Sequence, residues 1–151
     1  MQNFPAAIRT LLNDVANWTI LDPAFVDVEF PQKVSHDYLI APHRIGKNMV
    51  WIDEQRGMPQ ETQPLGGCLM RGLIDVFCYS RAMTSLEHDV EDAEDKSTNM
   101  REQVSDIIKP RYKTLTGALL MRPVGTYPLA EYNLDPCFFV KVLTVEVFYE
   151  I

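Results

Sequence analysis

The sequence predicts an α+β domain, and three stretches carry that expectation. Residues 84–110 have the spacing of one long amphipathic helix, while 69–81 and 138–151 are β-type runs long enough to cross a sheet side by side. A chain of 151 residues, 46% hydrophobic and 23% charged, fits a single domain spanning 1–151. At that length a core forms without help from a disulfide or a metal.

The elements follow in order. Ile8, Leu11, Leu12 and Val15 fall on one helical stripe, with Asn3 as a cap and Pro5 in the first turn, where its missing N–H costs nothing. Asp22-Pro23 is a break, because the residue before proline avoids the helical region. Val26 to Phe30 alternate apolar and acidic and read as a half-buried strand that Pro31 ends. Tyr38-Leu39-Ile40 read as a short strand closed by a loop at Pro42 and Gly46, and Met49 to Ile52 as extended chain. The polar segment 53–67, rich in glycine and proline, reads as a long exposed loop.

Leu69 to Arg81 form the first strong strand. Met70, Gly72, Ile74, Val76 and Cys78 face one way; Arg71, Leu73, Asp75, Phe77 and Tyr79 face the other. Both faces are partly apolar, which suits a central strand or one covered by a neighbouring subunit. The long helix opens on Thr84-Ser85-Leu86-Glu87, which has the form of a capping box with Thr84 at the cap. Its stripe is Leu86, Val90, Ala93, Met100, Val104 and Ile107 or Ile108, interrupted by Ser97 and stopped by Pro110. Acids crowd its first half and Lys109, Arg111 and Lys113 follow its end, which complements the helix dipole. Ala118 to Arg122 read as another strand, with Pro123, Gly125 and Pro128 forming a turn. The terminal run Phe138 to Ile151 must pair to avoid becoming an aggregation hazard, and 69–81 is its natural partner.

Composition excludes several function classes. Fourteen basic and twenty-one acidic residues give a net charge of −7, with no basic cluster among aromatics, so DNA recognition is not expected. An acidic protein is still compatible with lining a DNA passage, since like charge keeps a polyanion from sticking. Cys68, Cys78 and Cys137 are an odd set without CxxC spacing, which points to a reducing, intracellular setting. The N-terminus has neither the basic nor the continuous apolar region of a signal peptide, and no run approaches the ~18 apolar residues of a membrane span. Asn17-Trp18-Thr19 is then a chance glycosylation sequon.

Candidate chemistry is sparse. His36 and His43 lie seven apart, a spacing that sets neither a helix pair nor a strand pair at a metal, and His88 sits in an acidic helix turn. Neither GxSxG nor GxGxxG occurs, and Gly46-Lys47 lacks the remainder of a phosphate loop. Cys78 reads as a small buried hydrophobe and Cys68 as a turn residue. The acids of 87–95 lack the spacing of a calcium loop and read as a solvated helix face. The expectation is no catalytic residue, no metal and no cofactor. The candidates left are protein-contact residues: Trp51 and Met58 beside the 53–67 loop, with Phe77 and Tyr79 on the strand, because aromatic residues and Met are enriched at interfaces. The competing reading places Trp51 in the core.

A strand ending in Ile74-Asp75-Val76-Phe77 leads into the helix starting near Thr84, and the chain closes on Leu143-Thr144-Val145-Glu146-Val147-Phe148-Tyr149-Glu150-Ile151. This layout, over residues 69–151 and loosely over the first helix, resembles the tail-terminator (tail-completion) proteins of long-tailed bacteriophages; the 31–67 region departs from it. The resemblance implies an antiparallel β-sheet with two main helices packed against it and a long C-terminal strand. It also implies a homohexameric ring that caps the tail tube and joins it to the neck or head-tail connector. The expected partners are therefore further copies of the chain, tail tube protein and connector protein, with DNA only passing through the lumen and no membrane. The expected place is the virion tail or neck, and the host cytoplasm during assembly. Two other readings stand beside it: a head-completion or stopper protein, which would favour a small β-barrel, and a small enzyme using Cys68 with His36 or His43.

Overall fold

The computed structural model describes residues 4–14, 18, 28–53, 60–62, 68–110, 118–131 and 133–150. Its elements run α1 (Phe4–Asn13), β1 (Val28–Glu29), α2 (His36–Ile40), a 3₁₀ turn (Pro42–Arg44), β2 (Asn48–Ile52), β3 (Gln60–Thr62), β4 (Cys68–Arg81), α3 (Glu87–Ile108), β5 (Ala118–Glu131) and β6 (Phe138–Glu150). The fold is α+β. Among the described residues six strands form one sheet in the order β1-β2-β4-β6-β5, with β3 pairing β4 beside that path. All pairs are antiparallel except β1 with β2.

The two β-type runs pair as expected, from Leu69 opposite Glu150 to Arg81 opposite Phe138. Their period-2 pattern divides the sheet cleanly. On one face Val50, Ile52, Ile74, Val76, Cys78, Leu143, Val145 and Val147 meet Phe4, Ile8 and Leu12 of α1 and Met100, Val104, Ile107 and Ile108 of α3. Each such side chain taken fully out of water contributes roughly 1.5–3 kcal/mol, so this layer is the main source of stability. Phe4 packs on Tyr149 with ring centroids 5.0 Å apart, and the Trp18 indole N–H donates to the Leu12 carbonyl at 2.8 Å, which ties the end of α1.

The opposite face is covered over half its length. Met49, Trp51, Tyr79, Phe138, Val140 and Val142 pack against Val34, Tyr38, Leu39 and Ile40. Tyr38-Leu39-Ile40 are therefore a turn of helix and not a strand. Ser35 is the cause: its hydroxyl accepts from the Tyr38 N–H at 3.2 Å, which starts α2. Arg81 holds this layer down. Its guanidinium donates to the carbonyls of Ile40 (3.1 Å), Ala41 (2.9 Å) and Pro136 (3.0 Å), so one buried cation joins α2 to the turn before β6. The Asp135–Pro136 bond in that turn is cis.

Further sequence expectations need correction. The long helix starts at Glu87 with Leu86 at the cap, and no side chain caps it. Thr84 instead accepts from the Leu86 N–H at 3.2 Å and bonds the Asp89 carboxylate, ordering the approach to the helix. Ser97 belongs to the stripe: it is fully buried, and its hydroxyl donates to the Glu94 carbonyl at 2.6 Å. With Ser97 included, residues 90, 93, 97, 100, 104 and 107 recur at alternating three and four, whereas Leu86, expected in the stripe, stands before the helix and is 60% exposed. Finally, Pro123, Gly125 and Pro128 do not turn the chain. They lie within one long edge strand, β5, whose register shifts between Ala118 and Leu120 and between Pro123 and Gly125. Part of the 53–67 segment is also strand, since Gln60–Thr62 pair with Cys68–Met70. Val15, Val26, Asp27 and Asn3 lie outside the described residues.

Candidate functional site

The sheet face opposite α1 and α3 holds the residues singled out from the sequence. Trp51 and Phe77 stack with centroids 5.0 Å apart and planes 3° from parallel, and Tyr79 lies 6.4 Å from Trp51. They meet because Trp51 and Phe77 are register partners on β2 and β4, and Tyr79 is two residues further on the same face. Trp51 and Tyr79 are buried by the chain itself, and Phe77 is half-buried. Met58 lies outside the described residues. The Tyr79 hydroxyl donates to the Leu39 carbonyl at 2.8 Å. Burial pushes its pKa up to about 12, against the pull of the Arg81 and Arg44 charges, so it acts as a fixed donor.

Along the same face the aromatic end gives way to buried polar groups. Thr144 donates to Asp75 Oδ1 at 2.7 Å, and the Tyr127 hydroxyl reaches Asp75 Oδ2 at 3.5 Å, which links β6, β4 and β5. Next to it the buried Glu146 carboxylate lies between two guanidinium groups, Arg71 of β4 and Arg122 of β5, the latter at 3.0 Å. Burial alone would raise the Glu146 pKa. The hydrogen bonds from Arg71 and Arg122, with their charges, outweigh it and hold the carboxyl below its usual value. One hint of this network is visible in the sequence, the polar Thr144 and Glu146 alternating on β6 with apolar residues; their partners come from two other strands, β4 and β5, and have no local signal.

β5 borders this face and forms the end of the sheet. Leu119, Val124, Tyr127 and Leu129 lie along it, 38% to 52% exposed. A second exposed apolar patch lies where β4 passes into α3: Met83 is 64% exposed and Leu86 60%. The two patches have different electrical surroundings. Glu87, Glu91, Asp92, Glu94 and Asp95 are exposed beside the second. Arg122 and Arg71 flank the first, sharing one buried carboxylate. α3 holds eight acidic and two basic residues, a formal −6 of the chain's −7.

The reactive side chains sit apart. Burial pushes the Cys78 thiol up to about 12 and raises Cys137 as well, the opposite of what a nucleophilic thiolate needs. Cys68 has backbone register at the start of β4. His36 and His43 are exposed, His43 lying edge-on to the Tyr38 ring at 6.0 Å, and His88 touches Asp89 at 3.1 Å. Among the described residues no group of three or more His, Cys, Asp or Glu is placed to hold a metal ion, and no helix is long and apolar enough to cross a membrane. An open groove of about 510 Å³ runs between α3 and β5, where Arg101, Asp106 and Lys109 face Pro123 and Gly125.

No family model matches the sequence, and no curated protein matches it. The fold is similar to that of a chain in a solved structure, the virion of a native gene transfer agent (GTA) particle. The TM-score is 0.56 at 14% identity, and the match covers 99% of this chain and 96% of that chain.

Proposed function

We propose that the chain is a structural protein of a phage-like virion, and within the virion a tail terminator: a ring that caps the tail tube and meets the neck. The observation that carries this reading is the end-to-end fold similarity to a chain of a gene transfer agent virion, 99% of one chain on 96% of the other. Similarity over the full length of both chains means that the whole architecture corresponds, not one shared motif. The open sheet supports the terminator over the stopper alternative, which favours a barrel. Its strand path ends on β1 at one side and β5 at the other, with α1 and α3 over one face.

The surface chemistry agrees with an assembly part. Two exposed apolar patches lie on the surface, one along β5 and one where β4 passes into α3, and buried thiols leave Cys78 and Cys137 poorly suited to catalysis. In this reading the ring carries DNA through its lumen without gripping it, helped by a net charge of −7. The partners are further copies of the chain, most simply six, with tube protein on one side and connector protein on the other. The half-buried Phe77, on top of Trp51, is the part of the aromatic cluster a partner would reach.

Addition of the purified chain to polymerising tube protein tests this. The expected result is tubes that stop lengthening, with the chain seen by electron microscopy only at their ends. Tubes that grow unchanged, with no chain bound at their ends, would contradict the terminator role.

A further inference from the structure

The ring reading leaves open which surfaces of neighbouring copies meet, and the β5 border narrows the choice. An exposed edge strand of this length normally invites another strand to pair with it. Here the edge is disabled. Pro123 and Pro128 have no N–H, and their partners Val145 and Lys141 are four residues apart on β6, so both prolines occupy the same phase of the ladder. That is the phase in which the backbone nitrogen points away from β6, toward the free edge. The register shift at Val124 between them interrupts the edge again. Strand addition is thus blocked, while Leu119, Val124, Tyr127 and Leu129 still hold apolar side chains in water. Contact at this border has to be made through side chains.

The second patch supplies a matching occupant. Met83 and Leu86 are both more exposed than any of these four β5 residues, and Leu86 stands at a helix cap where a polar residue would serve the helix better. Glu87 and Glu91 follow on one exposed strip of α3, beyond which Glu94 pairs with Lys141 of β6 at 3.5 Å, whereas the β5 border has the Arg71 and Arg122 pair on Glu146. Without α3, the chain has twelve basic and thirteen acidic residues, so the negative charge is concentrated on the surface that bears Met83 and Leu86. Each patch is apolar at its centre with charge at its side, and the charges are opposite.

We propose that, in the ring assigned above, the Met83–Leu86 corner and first turns of α3 in one copy dock on the β5 border of the next, apolar against apolar and glutamates against Arg122 and Arg71. The contact uses two different patches of the same chain, so it is heterologous and repeats from copy to copy until the rotation closes. Charge sets the orientation and the encounter, while the leucines and Tyr127 supply the buried area.

The test measures self-association of the full chain by sedimentation, alone and with tube protein, with circular dichroism confirming that each variant is folded. Arg122→Glu, and separately Glu87→Lys with Glu91→Lys, are expected to raise the concentration needed for assembly at least about tenfold. Leu129→Glu does the same while leaving the ion pairs of Glu146 untouched. A chain carrying Arg122→Glu, Glu87→Lys and Glu91→Lys together restores opposite charge between position 122 and positions 87 and 91 and recovers part of the lost assembly. If the unchanged chain assembles and the folded single-patch variants assemble equally well, the patches are wrongly assigned and the ring stands. Failure of the folded triple variant to recover would also overturn the assignment. If the unchanged chain forms no assembly under either condition, both the ring and the docking fall.

Discussion

At the scale of single residues, two buried ionic groups fix the sheet face opposite the helices. Arg81 donates to three carbonyls from two separate segments, and none of those carbonyls belongs to a ladder partner of β4. Arg81→Ala leaves them to find water in a closed layer, at a cost of about 2–4 kcal/mol. Urea unfolding measures this, and a change under about 0.5 kcal/mol would show that water replaces the guanidinium freely. Glu146 makes a pH prediction. Its folded pKa lies below the ordinary carboxyl value of 4.5, so its contribution is present above that value and disappears as pH falls through the folded pKa. Glu146→Gln should therefore flatten the loss of stability on acidification below about pH 4.5, as read by thermal melting across a pH series. A variant with an unchanged acid slope would mean that the two arginines do not discriminate charge at this site.

At the scale of elements, α3 and its cap make opposing demands. The helix packs through a regular stripe whose centre is Met100, with no exposure, so Met100→Ala should destabilise by about 2–5 kcal/mol in calorimetry. Leu86 is the reverse case. As a cap it offers no acceptor to the first N–H groups of α3, and Leu86→Asp should raise the stability of the isolated chain by about 0.5–1 kcal/mol. The same change puts a further acid at an exposed apolar patch, so the stabilised chain should assemble less well. Higher melting temperature with unimpaired assembly would remove Leu86 from the contact. The elements differ in how legible they were. β4, β6 and α3 each repeat one period over a dozen residues or more, and a period is a local property of sequence. β5 was hidden because prolines and a glycine are turn residues almost everywhere except on an edge strand, and being an edge is a fact of topology. α2 was hidden because Tyr38-Leu39-Ile40 is too short for a period, and a single Ser35 cap decides its structure.

At the scale of the whole molecule, the fold class was readable because the two longest strands and the longest helix all carry strong patterns. The candidate site was readable only in part. Trp51, Phe77 and Tyr79 were found as aromatic residues, and their register brings them together, yet the covering layer around Tyr38 and Leu39 takes most of their surface. The exposed apolar residues of β5 gave no sign in the sequence, since Leu119 and Leu129 look like core residues until the bulges and the edge are known. The asymmetry of charge was visible in the run from Glu87 to Asp95, but its meaning depends on where Arg71 and Arg122 fall, on strands far apart in the chain. Long-range placement, not local propensity, determines which side chains reach the surface.

The central claim is that copies of this chain close into a ring. The mass of the native assembly, measured on the purified chain and again with tube protein present, addresses that most directly. A single species at a whole multiple of 17.3 kDa, six for the ring expected from the resemblance, is the result that agrees. A 17.3 kDa monomer under both conditions, even at high concentration, would contradict it.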